Sequence, residues 1–129
     1  MINFINNNSC KPFELFRKKY NLALKKGQES IEAISISSYS PSNEEVNSRF
    51  VNLKIIDDEQ FIFFTNYNSP KSKEFEKHCQ VSAVFFWNKI STQIRIKAII
   101  SKTSETFNNN YFSERSIKKN ALAISSNQS

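Results

Sequence analysis

Ser48-Arg49-Phe50-Val51-Asn52-Leu53-Lys54, followed by Phe61-Ile62-Phe63-Phe64-Thr65-Asn66-Tyr67-Asn68-Ser69-Pro70-Lys71-Ser72-Lys73, is the stretch that decides the fold. β-Branched and aromatic residues fill two runs, and a tight turn at Asp57-Asp58 separates them, which predicts a strand, a turn and a second strand. Ser69 is a good N-cap and Pro70 a good first helical residue, so a helix is predicted to follow at once. Arg49 and Lys54 bracket the first strand, and Lys71 and Lys73 sit where the helix begins. Free N–H groups of a helix start, flanked by lysines, form a natural phosphate site.

On the N-terminal side, residues 1–10 are polar and expected to be loose. Pro12 to Lys26 is predicted as an amphipathic helix with Phe13, Phe16, Tyr20 and Leu24 on one face and Gly27 closing it. Ile31 to Ser38 alternates apolar and small polar residues and predicts a half-buried strand. Tyr39–Asn47 is polar, contains a proline, and is expected to be a longer loop. On the C-terminal side, Pro70–His78 predicts a short helix with Phe75 inward, and Val81–Trp87 a nearly continuous apolar strand. Thr92–Lys102 alternates, with Ile94, Ile96 and Ala98 opposite Gln93, Arg95 and Lys97. Ser104 can cap a further helix to about Glu114.

The 129 residues fit one domain. Apolar residues make up 39% of the chain and no apolar run approaches the roughly 18 residues that span a bilayer, so no membrane segment is expected. The N-terminus lacks a basic, apolar signal pattern, which makes the cytoplasm the expected location. Cys10 and Cys79 are too few for a disulfide framework, and adjacent His78-Cys79 lacks the spacing of a zinc site. The formal charge of +6 is spread among acids without a long basic run, so Arg17–Lys19, Lys25–Lys26 and Lys118–Lys119 read as solvated helix faces or ends, and no nucleic-acid partner is expected. Gly27 is the sole glycine, so tight turns must rest on Asn, Asp and Ser.

The opening stretch resembles the pyridoxamine 5'-phosphate oxidases, which bind FMN in a split β-barrel. The family pattern Arg-x-Val-x-Leu-Lys stands here as Arg49-Phe-Val-Asn-Leu-Lys54. The following Phe-Tyr-Thr-Asn-Tyr-x-Ser-Arg-Lys stands as Phe63-Phe-Thr-Asn-Tyr-Asn-Ser-Pro-Lys71, with Pro70 the departure. Phe13-Glu-Leu-Phe-Arg17 is similar to the family's opening helix, with Lys11 in place of an Asp cap. Phe85-Phe-Trp87 with Thr92-Gln-Ile-Arg-Ile96, and the terminal Gln128-Ser129, extend the likeness. The family continues through further barrel strands, carrying a flavin-contacting Trp and Arg and a substrate Arg-x-His, beyond the last residue here.

The resemblance implies an α+β, mainly β fold: an FMN-binding split β-barrel over residues 11–129, with a few flanking helices. It implies that Arg49 and Lys71 hold the FMN phosphate. Phe50, Val51, Asn52, Leu53, Lys54, Phe64 and Thr65 would line the flavin, Gln93 would bond its pyrimidine edge, and Gln128 and Ser129 would reach the cofactor. Lys54, Tyr111, Arg115 and Lys119 match positions at the substrate, with Lys119 replacing a Ser. The implied activity is oxidation of pyridoxamine or pyridoxine 5'-phosphate to pyridoxal 5'-phosphate by a homodimer, with no protein nucleophile and no metal. Two other readings stand beside it: an FMN-binding module or flavin reductase without that activity, and a basic nucleic-acid-binding barrel, which the scattered charges disfavour.

Overall fold

The computed structural model describes residues 1–65, 69–103 and 120–126, the last by its backbone alone. Seven strands and two helices follow the order β1 (Asn3–Ile5), α1 (Lys11–Lys25), β2 (Ala33–Ser40), β3 (Glu45–Asp57), β4 (Gln60–Thr65), α2 (Pro70–Lys77), β5 (Gln80–Trp87), β6 (Thr92–Lys102) and β7 (Asn120–Ser126). All the strands belong to one sheet, ordered β1-β3-β2-β5-β6-β7-β4, and β4 pairs back onto β3. The sheet therefore curls into a ring.

The long strand β3 makes that closure possible. Its first part, Glu45 to Asn52, lies antiparallel to β2, and its last part, Leu53 to Asp57, lies antiparallel to β4. A register shift between Leu53 and Ile55 leaves Lys54 as the extra residue of a bulge, the device that bends a strand as it changes partner. β7 bridges β4 and the C-terminal part of β6, pairing with Ala98 to Lys102. Among the described residues, Thr92–Lys97 therefore pair with β5 alone, and the barrel is split at that end. Pairing both edges around most of the ring removes the exposed strand edges that such apolar strands would otherwise present.

Period-two alternation packs the inside of the ring. Ile34, Ile36, Leu53, Phe63, Phe85 and Trp87 are all buried there. α1 covers the opening with Phe13, Phe16, Tyr20 and Ala23. Phe16 meets Phe61, Phe85 and Trp87 at ring-centroid distances of 5.4, 5.5 and 5.4 Å. Burying a side chain of this size contributes about 1.5–3 kcal/mol. The polar atoms of the core aromatics are satisfied: Trp87 Nε1 donates to the Ile31 carbonyl at 2.9 Å, and the Tyr20 hydroxyl accepts from the Ile2 N–H at 2.8 Å.

Three expectations change. Asn3–Ile5, within the stretch expected to be loose, forms β1 and pairs in parallel with Ile55–Asp57 of β3. Ile2 and Phe4 anchor it against Tyr20 and Phe16. The polar segment expected as a loop at 39–47 is largely strand, because β2 runs to Ser40 and β3 starts at Glu45. Ser40 is buried there, an inward serine at a position that composition alone reads as loop. The strand β7 has no counterpart in the sequence reading, and the helix expected from Ser104 lies outside the described residues. Turn chemistry follows expectation at Asn6, Ser30, Asp58 and Ser91, all at positive φ with Gly27, while Glu44 adopts φ 54° in the β2–β3 turn.

Candidate functional site

Two cations of the opening stretch, Arg49 and Lys71, meet at the N-terminal half of α2. Ser69 caps that helix, its Oγ accepting from the Ser72 N–H at 3.3 Å. Helical spacing then places Lys71, Glu74 and Phe75 on one face, since residues three and four apart are neighbours. Phe75 is buried against Phe63, and Glu74 lies against β2 and β3.

Arg49 reaches this face from β3. Its Nη1 donates to the Ser38 Oγ at 2.7 Å and to the Ile36 carbonyl at 3.2 Å. Its Nη2 lies 3.7 Å from the Glu74 Oε1, and its Cζ stands 5.6 Å from the centre of the Phe75 ring. The Glu74 carboxylate also accepts from the Ser38 Oγ at 3.1 Å and from the Asn47 Nδ2 at 3.3 Å. Burial lowers the Arg49 guanidinium below its ordinary range, and the Glu74 charge pulls it back up. Burial also lowers the Lys71 ammonium, with the nearby Arg49 charge acting in the same direction. Two half-buried cations within each other's field, beside a capped helix start, form a site suited to a compact anion such as a phosphate monoester.

The other residues divide by face. Val51 points inward with Arg49 and is half-buried, and the Leu53 side chain is sealed in the core while its N–H donates to the Glu32 carbonyl at 2.8 Å. Lys54 projects from the bulge half-buried, close enough for its charge to help lower the Glu32 carboxyl. Thr65 is buried at the end of β4, and Phe64 packs half-buried against Ile55 and Ile62. Phe50 and Asn52 are exposed on the outer face of β3. Gln93 is exposed on β6 opposite Phe86, and it borders a groove of about 590 Å³ between α1 and β6, lined also by Leu15, Phe16, Lys19, Arg95 and Lys97. Arg49 and Lys71 are thus brought together, whereas Gln93 belongs to a different wall. Tyr111, Arg115, Lys119, Gln128 and Ser129 lie outside the described residues.

The sequence reading missed Ser38 and Glu74 as partners of Arg49, and Asn47 as a partner of Glu74. The signal for Glu74 was its place three residues after Lys71 and directly before the inward Phe75. Ser38 carries no such signal, because only the pairing of β2 with β3 sets it beside Arg49, whereas Asn47 shares the Arg49 face by alternation along β3.

No family model matches the sequence. Curated relatives do: the chain is 36% identical over 118 residues to a pyridoxine/pyridoxamine 5'-phosphate oxidase of Nostoc sp., covering 92% of this chain and 55% of the relative. The chain thus spans about half the length of the curated relatives it matches. Among solved structures, PhzG of Burkholderia lata, in complex with tetrahydrophenazine-1-carboxylic acid, superposes with a TM-score of 0.74 at 24% identity, over 81% of this chain and 52% of that one. A pyridoxamine 5'-phosphate oxidase-related, FMN-binding protein of Nostoc punctiforme superposes with a TM-score of 0.71 at 11% identity, over 92% and 82%. The curled sheet, its flanking helices and these relatives agree: over the length it spans, the chain matches the N-terminal part of the pyridoxine/pyridoxamine 5'-phosphate oxidases and has the fold of the FMN-binding split barrels.

Proposed function

We propose that this chain binds FMN with its phosphate on Arg49 and Lys71, and that it oxidises pyridoxamine or pyridoxine 5'-phosphate to pyridoxal 5'-phosphate. The observation that carries the reading is the pair of half-buried cations at the capped start of α2. Glu74 compensates only one of these two charges, leaving one half-buried cation uncompensated, which is costly, and a phosphate would offset that cost. Bound FMN would supply the redox chemistry, as hydride acceptor for the substrate with oxygen as the final electron acceptor. The protein's part is to bind and orient. Arg49 is held by Ser38 and Ile36, and Lys71 is carried on the first turn of α2. Phe50–Lys54, Phe64–Thr65, Gln93, Gln128 and Ser129 are assigned to the flavin, and Lys54, Tyr111, Arg115 and Lys119 to the substrate. A homodimer in the cytoplasm, serving pyridoxal phosphate biosynthesis, completes the reading.

A second reading is an FMN-binding module or flavin reductase without this oxidase activity, in keeping with the fold shared with PhzG and with the FMN-binding protein of Nostoc punctiforme. One set of measurements tests both. Arg49→Ala is expected to weaken FMN by about ten- to a hundredfold and riboflavin far less, the size of a lost charge-assisted contact of about 1.5–3 kcal/mol. Equal loss for the two flavins would show that Arg49 does not touch the phosphate. Anaerobic mixing of the FMN-loaded protein with pyridoxamine 5'-phosphate should bleach the flavin. A flavin that stays oxidised at millimolar substrate leaves the binding module.

A further inference from the structure

Glu74 sits where a phosphate site would be expected to exclude a carboxylate. It lies 3.7 Å from Arg49, and the two side chains are 16% and 20% exposed, so solvent screens the pair less than it would a surface ion pair. The carboxylate is also fixed from two other directions, by the Ser38 hydroxyl and the Asn47 amide. It is a built contact, not a side chain swinging free.

We infer that Glu74 is a resident counter-anion that sets the affinity of the Arg49–Lys71 site for phosphate, holding it weaker than the two cations alone would make it. The inference rests on the assignment of that site to the FMN phosphate. Two cations and one carboxylate leave a single net positive charge, so a phosphate dianion meets half the charge it would find without Glu74. Arg49 does not depend on Glu74 for its position, because Nη1 is already anchored by the Ile36 carbonyl and the Ser38 Oγ. Removing the charge therefore frees Nη2 without releasing the guanidinium. Glu74 acts through Arg49, by its charge and not by holding the guanidinium in place.

Glu74→Gln keeps an acceptor for Ser38 and Asn47 and removes the charge. FMN should then bind about tenfold more tightly, as expected of one elementary charge removed from a half-buried site, while riboflavin changes less than twofold. The FMN affinity of the variant should also fall more steeply with added salt than that of the wild type, because the site then carries one more uncompensated charge. Titrating wild type and variant with both flavins at two salt concentrations, with melting temperatures as a check of folding, separates the outcomes. If the wild type prefers FMN over riboflavin but Glu74→Gln leaves FMN binding unchanged or weaker, the counter-anion role is overturned and the phosphate site stands. If the wild type makes no distinction between FMN and riboflavin, the phosphate site itself is wrong and the role of Glu74 falls with it. Glu74→Ala gives an independent check: tightening of FMN in this variant too assigns the effect to the charge, and weakening overturns it.

Discussion

Lys71 is the residue whose chemistry is most open to a pH measurement. Its ammonium is lowered below the ordinary 10.5, by burial first and by Arg49 second. Folding therefore disfavours the charged form, and the penalty is relieved as pH rises through the window between the lowered value and 10.5. Anion binding has the opposite sign. Attraction for a phosphate is present below the lowered value and lost as pH rises through it, so FMN affinity should decline at a pH below that of a free lysine. Riboflavin shares the ionisation of the flavin ring, and its affinity over the same range is the control. Lys71→Met should remove the FMN-specific decline, and a decline that persists in this variant would place the titrating group elsewhere.

At the scale of an element, α2 matters because it carries Lys71, Glu74 and Phe75 to one place. Its start depends on Ser69, whose Oγ accepts from the Ser72 N–H and lies 3.1 Å from the Ser72 Oγ. Ser69→Ala should cost about 1 kcal/mol, whereas Ser69→Gly, which suits a cap, should cost only a few tenths. For a domain of this size the alanine variant should melt about 3–6 °C lower. A thermal scan in which the two variants melt alike would show that the cap bond contributes little. The cap, the proline and the inward phenylalanine were all legible as local signals. The same locality misled at 39–47, where a proline and polar residues around the buried Ser40 imitate a loop, and at Asn3–Ile5, where a three-residue strand has no periodicity to detect.

Across the whole molecule, the outer face of the sheet bears on assembly. Val46, Phe50 and Phe86 are 70%, 76% and 65% exposed. Phe50 lies opposite Ser35 and Ser35 opposite Val84, which shares its face with Phe86 two residues on. The same alternation puts Val46, opposite Tyr39, on that face. Large apolar side chains on one sheet face, between small serines, are the mark of a surface that another protein covers. The proposed homodimer uses this face, so light scattering should give twice the 15.0 kDa chain mass, and the double variant Phe50→Lys, Phe86→Lys should give the single mass. A wild-type protein that stays monomeric at micromolar concentration with FMN present would remove the homodimer.

What the sequence by itself determined is whatever depends on neighbours along the chain. Alternation set the faces of β2 and β6, helical spacing set the buried stripe of α1, and a serine–proline pair set the start of α2. The order Arg49…Lys54…Thr65…Lys71 was also enough to find the family. What only the tertiary structure decided is what depends on partners far apart in sequence. β7 exists because β4 and β6 offer it edges, and β1 because β3 does. Glu74 becomes the partner of Arg49 because β3 and the helix after β4 meet at one end of the barrel. A carboxylate on an exposed-looking helix carries no sign of its electrostatic role until the fold places a guanidinium beside it and excludes water from both.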